Sequence, residues 1–252
     1  MSCKLCGSLE PLQESHIIPR SYYRKLKNGD GQLIAVTCDE FSQPKKMNSD
    51  PKEKLLCLSC ERHLDENFEK YGTRLFQDYK NVKKTRNYIE FNGFKYEEYY
   101  LFLVSILWRA SVSTLSEFSR VILTDKINKW LANCIERKTL RLDGSIKLDD
   151  ILNICILRIV DTKTGIDDDT IKGVLLNIGV DTENNGLVFY FMISGFLIAY
   201  NFDLSPHIRK PKLTGQLIKR SKLKVPKAEL TELTEIKNAF FHAINQAQNY
   251  AL

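Results

Sequence analysis

Residues 55–79 read LLCLSCERHLDENFEKYGTRLFQDY, and two patterns overlap in them. Cys57 and Cys60 stand at C-x-x-C spacing. After them Leu64, Phe68, Tyr71 and Leu75 recur at i, i+4, i+7 and i+11, one apolar stripe of a helix. The stretch therefore reads as a short strand or knuckle that turns into a helix, with Cys60 near the helix N-terminus. About fifty residues earlier, Cys3-Lys4-Leu5-Cys6 repeats the same spacing. A C-x-x-C turn lets two thiolates face one ion, and two such turns complete a tetrahedron of soft ligands. The spacing predicts a structural Zn2+ held by Cys3, Cys6, Cys57 and Cys60, in the ligand layout of a treble-clef zinc finger, where the helix N-terminus also favours the thiolate. A four-cysteine site has no open coordination position. Any chemistry must come from other residues.

The rest of the chain bounds the setting. Its 252 residues suffice for a small module joined to a larger domain, and 43% hydrophobic with 27% charged residues is an ordinary globular balance. Seven cysteines is an odd number, and paired C-x-x-C spacing points to metal rather than disulfides. Cys38, Cys134 and Cys155 sit in apolar surroundings and read as core thiols. The start lacks the apolar stretch of a secretory signal, and no run approaches the roughly 18 uncharged apolar residues that span a bilayer. A cytoplasmic address without membrane contact is expected.

Outward from the cysteines, residues 1–78 are expected to form the zinc module. Within them QLIAVT (32–37) reads as a strand and the polar stretch 41–54 as a loop. Residues 79–252 are expected to form a mainly helical domain with one β-hairpin, so that the fold class is α+β. YEEYYLFLVSILWRASVSTLSEFSR (96–120) has the apolar density of a buried helix, broken near Ser111–Thr114. Trp108 and the cluster Tyr96, Tyr99, Tyr100 and Phe102 fall at helical spacing and read as core. A second helix starts at Thr124 and Asp125, a third covers Leu148–Ile159, and a last one Ala228–Tyr250. GLVFYFMISGFLIAYNFD, from Gly186 to Asp203, reads as two strands joined by a tight turn at Ser194-Gly195.

Between the cysteine pairs stands ESHIIPR, Glu14 to Arg20. An acid and a histidine precede two β-branched residues and a proline, as on a strand that ends at the edge of the module. Glu14 and His16, two apart, are expected on one face of that strand.

Cys3-x-x-Cys6, ESHIIPR at 14–20 and LLCLSCE at 55–61 together resemble the HNH endonucleases, in the branch that flanks its histidine motif with two C-x-x-C pairs. The likeness covers about the first 75 residues. The pairing of SHIIP and LCxxCE with SILWRAS (105–111) also resembles uncharacterised bacterial proteins associated with defence, whence an antiviral role and a partner protein are expected. The resemblance implies a ββα-metal nuclease cleaving DNA. In that family the motif histidine deprotonates water, and a nearby acid and a helix residue hold a divalent cation, Mg2+, Mn2+ or Ni2+, that stabilises the leaving oxyanion. By position His16 takes the role of base. The family places an acid immediately before its histidine, where this chain has Ser15, with Glu14 one residue back. It places Asn or His after the second C-x-x-C, where this chain has Glu61, followed by His63 and Asn67. Glu14, Glu61 and His63 are thus the remaining catalytic candidates. Glu61 is equally a helix-capping acid. Glu61, Asp65 and Glu69 at i, i+4 and i+8 are expected along one helix side, Asp65 and Glu69 as a solvated face.

The net charge of +6 suits a polyanionic partner. Arg20, Arg24, Lys25 and Lys27 stand where they would grip a nucleic-acid backbone. Residues 205–227 carry eight Lys or Arg and no acid, which reads either as a phosphate-contacting strip or as a solubilising loop. His207 and His242 read as incidental. The same residues leave room for an inactive zinc-stabilised module that binds nucleic acid or protein, for an effector active only with a partner sensor, and for a homodimer.

Overall fold

The structure is a computed structural model and describes residues 1–26, 33–36, 45–47, 50–76, 82–181, 187–203 and 213–233, with the backbone alone for 24–26, 33–36, 45–47, 177 and 181. The chain runs β1 (Leu12–His16), α1 (Arg20–Leu26), β2 (Leu33–Val36), β3 (Lys45–Met47), β4 (Lys52–Cys57), α2 (Leu58–Leu64), a π-helical turn (Asp65–Glu69) and α3 (Lys70–Leu75). It continues through β5 (Val82–Lys84), β6 (Tyr88–Asn92), α4 (Tyr96–Val112), α5 (Asp125–Arg137), α6 (Leu148–Ile151), β7 (Leu152–Val160), α7 (Asp168–Gly173), β8 (Val174–Asp181), β9 (Leu187–Ile193), β10 (Phe196–Phe202) and β11 (Lys222–Glu229). The fold is a mixture of helices and sheets.

β1 and β4 form a two-stranded antiparallel sheet, with His16 opposite Lys52 and Leu12 opposite Cys57. The other strands form a second sheet in the order β3-β2-β8-β9-β10-β7-β11-β6-β5. Two of its junctions, β2 with β8 and β7 with β11, are parallel. β11 changes partner along its length. Lys222 to Pro226 pair with β6, and from Lys227 the strand pairs with β7. Pro226, which has no N–H to give a ladder, stands at the changeover.

α4 is the spine. It is apolar around most of its circumference and is buried from Tyr99 through Ala110, as expected of a helix enclosed on all sides. Trp108, Tyr99, Tyr100 and Phe102 are core residues. On one flank α3 crosses so closely that a Cβ at Gly72 would lie 2.2 Å from the Phe102 ring. On the other, the Tyr200 hydroxyl of β10 donates to the Leu103 carbonyl at 2.8 Å. The helix stops at Ser113, whose backbone is extended, and α5 begins with the Thr124 hydroxyl accepting from the Ile127 amide. Ser194 and Gly195 both take positive φ, 52° and 75°, which closes the β9–β10 hairpin with a turn that matches strand twist.

Two of the expected helices change. Leu148–Ile159 forms only the single turn α6 before the chain extends into β7, where Ile154, Ile156, Ile159 and Val160 favour a strand. With β5 to β11 in it, the second half is sheet-rich rather than mainly helical. Ala228 and Glu229 end β11 instead of opening a helix, and residues 234–252 lie outside the described residues. The boundary near residue 78 is not a break in packing. One buried apolar cluster runs from Cys3 to Val225, Phe76 stacks on Phe196 at 3.9 Å between centroids, and Ile34 of β2 pairs with Val174 of β8. Among the described residues no helix is long and apolar enough to cross a membrane.

Candidate functional site

The first cysteine pair sits in a tight knuckle. The Gly7 amide donates to the Cys3 carbonyl at 2.9 Å and Gly7 takes φ 74°, a conformation that glycine adopts without the clash of a Cβ. The Lys4 amide donates to the Leu55 carbonyl at 2.9 Å, so the knuckle docks on β4. The second pair straddles the β4–α2 junction, with Cys57 the last residue of the strand. The four sulfur atoms lie within 4.8 Å of one another, and Cys6 Sγ and Cys57 Sγ are 3.8 Å apart. Thiolates about 2.3 Å from a tetrahedrally held zinc ion stand about 3.8 Å apart, so the cluster fits a structural metal ion such as zinc. Burial works against ionisation of Cys57, but the Ser59 hydroxyl, the Cys60 amide and the neighbouring thiols bring it down to about 7. Burial, joined by Cys6, Cys57 and Cys3, pushes the Cys60 thiol up. Four thiols this close compete for negative charge, and a divalent cation relieves the competition.

β1 runs from this cluster to His16, and its side chains alternate. Ser15 is fully buried and its hydroxyl donates to Glu61 Oε1 of α2 across a separation of 46 residues. Burial pushes the Glu61 carboxyl above its usual range, while Ser15 and the positive charge of Arg109 act against that shift. Glu14 and His16 point the other way, as the alternation requires. Glu14 is exposed and ion-paired with Lys52. His16 keeps a quarter of its side chain accessible, with Nε2 3.9 Å from Asp50 Oδ2. Arg20 Nε lies 3.8 Å from the same oxygen. Burial lowers the His16 pKa; Asp50 raises it, and Arg20, Lys52 and Arg109 lower it further.

Behind the strand stands Arg109 of α4, with its side chain almost fully enclosed. Its Nη1 donates to the His16 carbonyl at 2.8 Å, its Nε to the Ser105 carbonyl at 3.2 Å, and its Nη2 pairs with Glu69 Oε1 at 2.7 Å. Glu69 can reach Arg109 because the π-helical turn at Asp65–Glu69 shifts the helical phase. Glu69 turns inward while Asp65 stays exposed beside Lys70. The three acids do not share one face.

His63 lies elsewhere. Two residues along a helix from Glu61 is a rotation of about 200°, and the His63 Nε2 lies 2.9 Å from the Ile135 carbonyl near the end of α5. Asn67 donates to the His63 carbonyl at 2.8 Å. The structure thus brings Ser15 to Glu61 and His16 to Asp50 and Arg20, and gives Glu14 and His63 other partners. Arg24 and Lys25 fall on α1 with side chains outside the described residues, as is the whole of Lys27. Asp50 and Arg109 escaped the sequence reading. Asp50 ends a polar stretch immediately before Pro51 and β4, a weak signal, and Arg109 lies 93 residues from the carbonyl it holds. Comparison with protein-family models, with characterised proteins and with solved structures finds no match for this chain.

Proposed function

We propose that this chain is a divalent-metal-dependent endonuclease of the HNH type acting on DNA, with a zinc-stapled treble clef carrying its catalytic strand. One observation carries the reading. Ser15 precedes His16 and Glu61 follows Cys60, the two positions at which the resembled family holds its cation, and these residues, far apart in the chain, are hydrogen-bonded to each other. A hydroxyl and a carboxylate are oxygen donors, which suit Mg2+ or Mn2+ better than Ni2+, a metal more at home with imidazole.

His16 is the base. Its lowered pKa keeps the ring neutral at pH 7 and free to accept a proton from water. Asp50, 3.9 Å away, stabilises the imidazolium that forms. Arg20, two-thirds exposed beside Asp50, offers its guanidinium to a substrate phosphate. Arg109 holds the His16 carbonyl and so fixes the end of β1. Ser15 and Glu61 would hold the cation, which would supply positive charge for the departing oxyanion.

The test is plasmid cleavage with Mg2+ or Mn2+ by wild type, His16→Ala and Glu61→Ala. Cleavage by wild type with loss in both variants, while each stays folded, is expected. Cleavage that persists in His16→Ala, or fails under every metal, overturns the assignment and leaves an inactive binding module.

A further inference from the structure

Far along the chain from His16, β5, β6 and β11 present a second charged surface. In the strand registers Lys83 of β5 faces Glu90 of β6, and Glu90 faces Lys224 of β11. Directly opposed residues share a sheet face, so the three form a row. Lys222, two residues from Lys224, belongs to the same face. Lys222 Nζ lies 3.1 Å and Lys224 Nζ 3.7 Å from the Glu90 carboxylate, and both lysines remain more than half exposed. The hydrogen bond from Lys222 and the charges of Lys224 and Lys83 hold Glu90 below the usual carboxylate range. One acid faces three lysines. The other side of β11, Leu223 and Val225, is buried, which anchors the strand and leaves its lysines outward.

A groove of about 520 Å³ opens beside this row, lined by Gln216, Arg220, Lys222 and Lys224 among others and by no acid. Residues 222–227 of the strand belong to the 205–227 segment, whose eight basic residues without an acid had two readings from sequence. Over residues 222–227 the segment is strand rather than loop, and its exposed lysines Lys222 and Lys224 stand about 6.7 Å apart.

We infer that the β5–β6–β11 face and its groove form a phosphate-contacting platform for a nucleic-acid duplex, separate from the His16 site and supplying sequence-independent affinity. The inference deepens the nuclease reading, on which its choice of polyanion rests. Three lysines around a single acid leave net positive charge on this face for a polyanion to meet, and regularly spaced lysines that face outward can meet successive phosphates.

The experiment measures fluorescence anisotropy of a labelled DNA duplex with His16→Ala protein, without divalent cation, between about 50 and 200 mM salt. Lys222→Gln/Lys224→Gln is expected to reduce the log–log salt slope by about 2 and to weaken binding about tenfold, with an unchanged urea midpoint. Glu90→Gln is expected to tighten binding, the opposite of what loss of a merely structural ion pair would do. Unchanged slope and affinity in the double variant overturn the platform, even if wild-type protein cleaves plasmid. Binding to phosphatidylserine vesicles but not to the duplex overturns it in favour of a membrane surface. Loss of duplex binding in the double variant, in a protein that shows no cleavage, supports the platform and sinks the nuclease alone.

Discussion

Replacing Arg109 with methionine tests how the His16 strand is held. The guanidinium is 1% exposed and joins three groups: the His16 carbonyl, the Ser105 carbonyl and the Glu69 carboxylate. Methionine approximates the volume of the stem and removes every donor. Glu69, only 21% exposed, is left as an uncompensated acid, and the His16 carbonyl loses its partner. Breaking a buried pair from one side costs about 3–5 kcal/mol, a large part of the roughly 5–15 kcal/mol that holds a domain folded. For a chain of this size that lowers Tm by roughly 6–20 °C. Urea unfolding of Arg109→Met, Glu69→Leu and the double variant gives the coupling directly. The double variant is expected to recover about 1–3 kcal/mol of the summed losses, because the second change removes the stranded charge. An Arg109→Met protein within about 1 kcal/mol of wild type, or strictly additive losses, would refute the clamp.

Two further outcomes follow from the site. Cys57→Ser is expected to lower bound zinc from about one ion per chain to well below it and to unfold the knuckle and β4 together, read by metal analysis and near-UV circular dichroism, since metal binding and folding of such a module are one event; full zinc occupancy in the variant would exclude Cys57 as a ligand. In the proposed reaction His16 must be neutral to act, and its pKa is lowered from the ordinary histidine value, so kcat/KM for cleavage is expected to rise with pH through an inflection below about 6.5, and Asp50→Asn, which removes a charge that raises that pKa, is expected to move the inflection lower still; an inflection above about 6.5 would assign the limb to another group.

The cysteine cluster was legible because paired C-x-x-C spacing suits a tetrahedral metal ion, and α4 and α5 because a dense apolar run and the Thr124 cap are local signals. The β9–β10 hairpin was legible for the same reason, as Ser194-Gly195 closes it within the turn itself. β7 was misread. LNICILRIV is apolar nearly throughout, and a strand buried on both faces in mid-sheet loses the alternation that marks a strand. The turn at Asp65–Glu69 was invisible as well, since i, i+4 arithmetic assumes an unbroken α-helical phase. Asp50 and Arg109 act only through partners brought in by the fold.

These two residues also change what the N-terminal segment is. The cysteine cluster lies at one end of β1, and the other end, where His16 pairs with Lys52, is held as well by groups from outside the first 78 residues. Arg109 holds the His16 carbonyl, while Ser113 and Thr114 at the end of α4 donate to Glu53 of β4 at 2.7 Å each, joined by the Thr114 amide at 2.9 Å. Gly72 lets α3 press against Phe102. The first 78 residues alone would leave the His16 carbonyl and the Glu53 carboxylate without these donors, and positioning to within about 0.5 Å needs such support. On the proposed reading, the groups that aim His16 therefore include Arg109 of α4 and the residues that follow that helix, beyond residue 78.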